Sequence, residues 1–157
     1  PLRFAVYFNS LIAEIHKKNM SYKYLEHSTD AFIEVKAKTL EEAFSVAGKS
    51  VVETIIDLKN IQEIEEKSIK VKGRNLLNLL YNWLEEIVTI TITDGFAIKK
   101  FSVNIKKNAE YEIVSKVSGE KLDLKKHNFK IEIKSPTFHL MEIKENDEIT
   151  MQYLLDL

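Results

Sequence analysis

The feature that most limits the fold of this chain is a repeated change in the spacing of its apolar residues. Residues 31–37 (AFIEVKA) alternate apolar and polar side chains, which is the pattern of a half-buried strand. Thr39 and Glu42 follow as a capping box, and apolar residues then recur at helical spacing to residue 57. A second set with helical spacing begins near Asn75. The pattern therefore predicts two amphipathic helices among strands.

The other segments predict strands. Residues 68–72 form a short one that stops at Gly73, and five more are predicted over 96–105, 111–118, 129–135, 137–145 and 148–157. Residues 88–93 (VTITIT) are ambiguous, because strand-forming residues there directly continue the second helix. Two helices packed against a mainly antiparallel β-sheet predict an α+β, two-layer domain.

The first 19 residues stand apart from this pattern. Their apolar run is shorter than the roughly 20 residues of a membrane span, and it has no small-residue cleavage site of a signal peptide. Met20 then provides a plausible start. We interpret residues 1–19 as an N-terminal extension of no assigned function, and residues 20–157 as one domain. We expect a cytoplasmic protein without membrane contact, which agrees with the lack of cysteine.

Composition argues against several functions. The lack of cysteine removes disulfides, thiolate zinc sites and cysteine nucleophiles. The 23 basic and 24 acidic residues nearly cancel, and only Arg3 and Arg74 are arginines, so direct RNA binding is expected to be weak or absent. Four single glycines form no phosphate-binding loop, and the sequence contains no serine nucleophile elbow or paired zinc-binding histidines. The sequence therefore offers no nucleotide-binding loop and no nucleophile motif.

Two segments carry carboxylates in unusual places. Residues 26–30 (EHSTD) combine two carboxylates with an imidazole before a strand. This is most simply a polar turn bonded to its own backbone, and oxygen ligands for Ca²⁺ or Mg²⁺ are the alternative. Asp156 lies one residue before the last residue, where two carboxylates repel unless a cation or a lysine lies between them. A frayed, solvated terminus is the simpler interpretation there.

Lys134 is the third candidate. Strand alternation would direct Phe129, Ile131 and Ile133 into the core, and Lys130, Glu132 and Lys134 outward. Pro136 cannot donate a ladder hydrogen bond, so this stretch is expected at an edge or a bulge. Most such lysines are solvated surface residues.

Several segments together resemble one family, the archeases. They are YKYLEHSTD, KTLEEAF, LLYNWLEE, GEKLD, KKH, IEIKSPTFH and LLDL, in matching order from Tyr22 to Leu157. The resemblance implies a protein cofactor of the RtcB-type RNA ligase, which seals tRNA halves and repairs RNA through a guanylylated histidine of its own, using Mn²⁺ and GTP. It implies a protein that is not itself an enzyme but a metal-binding activator, which promotes guanylylation and multiple turnover. A chaperone or interaction module for RNA-modifying enzymes is the alternative.

The resemblance also implies roles for individual residues. The family's metal-binding aspartates fall on Asp30 and Asp156, and an oxygen of Leu157 would complete the set. The lysine required for ligase activation falls on Lys134. Such hard-oxygen ligands favour Ca²⁺, with Mg²⁺ or Mn²⁺ as alternatives.

His27 and His139 are possible accessory residues. Ser135-Pro136 stands where the family usually has small or aliphatic residues, and Leu140 stands where glycine is common.

Overall fold

The computed structural model describes residues 21–25 and 30–157. The proposed extension 1–19 and the accessory candidate His27 lie outside these residues. In chain order the elements are β1 (Ser21–Leu25), β2 (Asp30–Ala37), α1 (Leu40–Ile55), β3 (Glu65–Gly73), α2 (Leu76–Val88), a π-helix (Thr89–Thr93), β4 (Phe96–Lys107), β5 (Tyr111–Lys121), β6 (Ser135–Glu145) and β7 (Ile149–Asp156).

The strands form two antiparallel sheets, with orders β1-β2-β7-β6 and β3-β5-β4. The predicted α+β class, with two helices against antiparallel strands, is confirmed. The expectation of one sheet is corrected, because alternation within a strand does not specify its neighbours. Both helices contact both sheets: α1 packs against β2 and β4, and α2 packs against β3 and β6.

The two helices begin where the sequence predicts. The Thr39 side chain accepts a hydrogen bond from the amide of Glu42 at 3.2 Å, which is the N-cap half of a capping box, whereas the Glu42 carboxylate accepts from the amide of Lys38 instead of Thr39. Asn75 caps α2 in the same way, accepting from the Asn78 amide at 2.8 Å. Between the helices, the indole of the fully buried Trp83 donates to a carbonyl of α1 at 2.8 Å. No helix among the described residues has the length and apolar character needed to span a membrane.

The ambiguous stretch after α2 is helical. Residues Thr89–Thr93 form a π-helix, closed by a hydrogen bond from the amide of Asp94 to the carbonyl of Thr89 at 3.0 Å. The strand preference of isoleucine and threonine is overridden here because Ile90 and Thr91 are buried in the core by continuing the helix.

The predicted strand over 129–135 is wrong up to residue 134. Phe129 is 41% exposed, whereas the side chain of Lys130 is 3% exposed and its Nζ lies 2.9 Å from a carboxylate oxygen of Asp57. The same ammonium donates to the carbonyl of Glu53 at 3.0 Å. These bonds to residues near the end of α1 reverse the expected directions of residues 129 and 130, while Ile133 is buried as predicted.

Candidate functional site

Three distant parts of the chain meet at one end of the four-stranded sheet. Asp30 begins β2 and Asp156 ends β7, and the two residues are directly opposite each other in the antiparallel register. On its other side, Asp156 is opposite Ser135, which begins β6. Side chains of directly opposite residues project from the same face, with Cβ atoms about 4.5–5.5 Å apart. The two predicted metal-binding aspartates are therefore neighbours.

Lys134 adjoins this pair through its backbone. Its amide donates to the carbonyl of Asp156 at 2.8 Å, and its side chain is exposed. Leu157 directly follows Asp156 and is half-buried. The structure thus brings together the four residues to which the resemblance assigns metal binding and activation.

The paired aspartates bring two carboxylates to the same end of the sheet. Like charges directly opposite each other on neighbouring strands are destabilising. Within residues 21–25 and 30–157, no salt bridge involves the side chain of Asp156. Among the same residues, no group of three or more His, Cys, Asp or Glu side chains is placed to hold a metal ion. Carboxylates and neighbouring main-chain oxygens are the kinds of donor that a hard cation accepts.

Lys134 also lines a cavity of about 180 Å³. The cavity lies between the segment around Lys134 and the C-terminal part of α2 with its π-helix. Its polar lining consists of Glu85, Thr89, Thr93, Glu132, Lys134 and Ser135. No motif in the sequence points to the residues that α2 and the π-helix contribute. The one available signal was that Glu85 belongs to the LLYNWLEE segment.

His139 does not join the aspartates. It lies in β6 where the pairing with β7 is interrupted between Thr137 and Glu142. Its side chain is exposed, and its amide donates to the Thr137 side chain at 3.1 Å. The register therefore separates His139 from Asp156 by several residues along the sheet.

A second polar cluster anchors the loop that leads to Lys134. Glu120 is nearly buried, and one of its carboxylate oxygens accepts from Lys126 at 2.7 Å and from Nε2 of His127 at 2.6 Å. Nδ1 of the fully buried His127 accepts from the Asp123 amide at 3.0 Å, which leaves the ring proton on Nε2. The hydrogen bonds from Lys126 and His127 lower the pKa of Glu120 from 4.5 to about 2.

These observations define a class: small α+β proteins with two antiparallel sheets, in which two aspartates and a lysine meet at the end of one sheet. Comparison with known proteins identifies the family. The model of the Archease protein family (MTH1598/TM1083) matches residues 22–157. The chain belongs to the archease family.

Individual relatives agree with this assignment. The archease of Pyrobaculum islandicum is 34% identical over 143 residues, which cover 89% of this chain and 97% of the relative. The archease of Methanosarcina barkeri is 36% identical over 139 residues, covering 87% and 95%. The solution structure of Methanobacterium thermoautotrophicum protein 1598 is similar with a TM-score of 0.74 and 29% identity, over 87% of this chain and 98% of that one.

Proposed function

We propose that this protein is a non-catalytic, metal-binding activator of an RtcB-type RNA ligase in tRNA splicing and RNA repair. It promotes guanylylation of the ligase and thereby multiple turnover. Membership of the archease family supports this role. The observation that carries the proposal is the strand register, which brings Asp30, Asp156 and Lys134 from distant parts of the chain to one end of a sheet.

The metal part of the proposal uses the two aspartates and a main-chain oxygen of Leu157. Ca²⁺ suits this set best, because it accepts carboxylate and carbonyl oxygens in flexible geometry, and Mg²⁺ and Mn²⁺ are alternatives. A bound cation supplies positive charge that removes the repulsion between Asp30 and Asp156. It would thereby fix the ends of β2 and β7, and with them the backbone of Lys134 that is bonded to Asp156.

The activation part rests on the position of Lys134. Its ammonium is a compact charge on a flexible four-carbon stem, and the side chain is exposed and lines a small cavity. It can therefore reach a phosphate or a developing negative charge that a partner presents. In a water-poor interface with that partner, one well-placed donor contributes about 3–4 kcal/mol to transition-state stabilisation.

The test is multiple-turnover ligation and single-round guanylylation by an RtcB-type ligase, with and without the protein. Lys134→Ala should slow the activated guanylylation at least about a hundredfold, as that magnitude implies. Its melting temperature should remain unchanged, because exposed side chains away from special contacts alter stability by about 0.5 kcal/mol or less. Lys116→Ala, at an exposed lysine of β5 in the other sheet, is the matched control. Full multiple turnover with Lys134→Ala would show that the assignment of this lysine is wrong.

The alternative function, a chaperone or interaction module, is favoured by a different observation. Phe138 and Leu140 are large apolar side chains that are 52% and 45% exposed. A chaperone would suppress aggregation of a client protein through such side chains and would be insensitive to Lys134→Ala and Asp30→Ala. Aggregation assays with these variants separate the two functions.

A further inference from the structure

An irregularity in β6 exposes apolar residues beside the candidate site. The pairing of β6 with β7 is interrupted between Thr137 and Glu142, and the three consecutive residues 138–140 are exposed instead of alternating. Leu140 has a φ of 59°, a conformation that disfavours side chains with a Cβ atom. Strained backbone and bulges of this kind are concentrated at functional sites, so the irregularity itself points to a role.

Phe138, which lies in this irregular part of β6, belongs to an ordered apolar surface. The ring of Phe138 stacks on Tyr81 of α2, with centroids 4.3 Å apart and planes inclined by 11°. Leu77, one helical turn before Tyr81, is 40% exposed. We call Leu77, Tyr81 and Phe138 the apolar surface. The stacking restrains both rings before any partner binds, which lowers the entropic cost of association.

The apolar surface borders the Lys134 cavity on two elements. On α2, Glu85 lines the cavity and lies one turn after Tyr81. On β6, Pro136 lines the cavity and lies two residues before Phe138. The reach of a lysine side chain is short, so a protein on which Lys134 acts must contact the surface around the cavity.

We propose that the apolar surface is the docking site for the RNA ligase, which covers it with an apolar segment of its own while Lys134 reaches into the ligase. This inference rests on the proposed function and assigns the partner contact to a site distinct from the residues that bind metal or activate. Tyrosine is enriched among the residues that contribute most to binding at protein interfaces, which fits the presence of Tyr81 in this surface.

The test measures the affinity of the purified RtcB-type ligase for the full chain by calorimetry, and the concentration of the protein that gives half-maximal activation. Phe138→Ala and Tyr81→Ala should each weaken binding at least about tenfold, which corresponds to about 1.4 kcal/mol, and should raise the half-maximal concentration by the same factor. Ile64→Ala is the control, because it removes an apolar side chain that is even more exposed, at 67%, next to β3.

The outcomes separate this inference from the proposed function. Activation by the unsubstituted protein, together with unchanged affinity in folded Phe138→Ala and Tyr81→Ala, would overturn the docking site and leave the function intact. Failure of the unsubstituted protein to bind or activate the ligase would overturn both. Melting curves of each variant establish that a loss of affinity does not arise from unfolding, and Tyr81→Phe, which keeps the stacked ring, should restore binding.

Discussion

The pairing of Asp30 with Asp156 predicts that Asp156→Asn raises the melting temperature in the absence of Ca²⁺ and lowers it in the presence of Ca²⁺. Asp156→Asn removes one charge from two carboxylates that are directly opposite on β2 and β7. Relief of a like-charge cross-strand pair contributes about 0.2–1 kcal/mol. For a domain of this size, 1 kcal/mol corresponds to about 2–4 °C in melting temperature. Without divalent cations, Asp156→Asn should therefore melt up to about 4 °C higher than the unsubstituted protein.

With Ca²⁺ the order should invert. A ligand at a hundred times its Kd stabilises the folded state by about 2.7 kcal/mol, or roughly 5–11 °C here. This gain requires the carboxylate of Asp156, because an amide supplies a weaker ligand without charge for a hard cation. The unsubstituted protein should then melt above the variant, so the two stabilities cross as Ca²⁺ is added.

Calorimetric melting in EDTA and across a Ca²⁺ titration measures this crossing. The control is Asp147→Asn, which neutralises an exposed carboxylate in the turn between β6 and β7, at the opposite end of β7. It should leave the Ca²⁺-induced rise intact. The reasoning is refuted if Asp156→Asn is the less stable protein in EDTA, or if Ca²⁺ raises the melting temperatures of both proteins equally.

Two further predictions concern stability. Leu140→Gly should raise the free energy of unfolding by up to about 1.5 kcal/mol. Relief of the left-handed conformation contributes about 1–2 kcal/mol, and the entropic cost of glycine subtracts about 0.5–1 kcal/mol. A lower urea midpoint would contradict this. Glu120→Gln should destabilise the protein at pH 7, and its deficit should shrink as the pH falls from 4.5 towards 2. The folded-state pKa of Glu120 lies at about 2, below its ordinary 4.5, so its stabilisation is present above pH 4.5 and is lost on protonation. A deficit that is the same at pH 7 and pH 2.5 would disprove that origin.

Part of this fold could be predicted from the sequence, because it depends on local hydrogen bonds and on the spacing of apolar side chains. The start of α1 depends on bonds between residues three or four positions apart, such as Thr39 to Glu42, and therefore follows from adjacent sequence. The strand over 31–37 was predictable for the same reason, since alternation reflects burial of one face. The candidate site residues were named through resemblance to a family, because no local pattern distinguishes Lys134 from a solvated lysine.

The other features of the fold and of the site depend on packing between segments that are distant in sequence. Whether Asp30 is opposite Asp156 depends on the register of β2 against β7, and a shift of one residue would place their side chains on opposite faces. The inward direction of Lys130 arises from its bonds to Asp57 and Glu53, which lie far away in sequence. Residues 88–93 fit a strand by propensity but became helical because their apolar side chains are buried that way. The free energy of such contacts belongs to pairs of segments, so no single stretch of the sequence contains it.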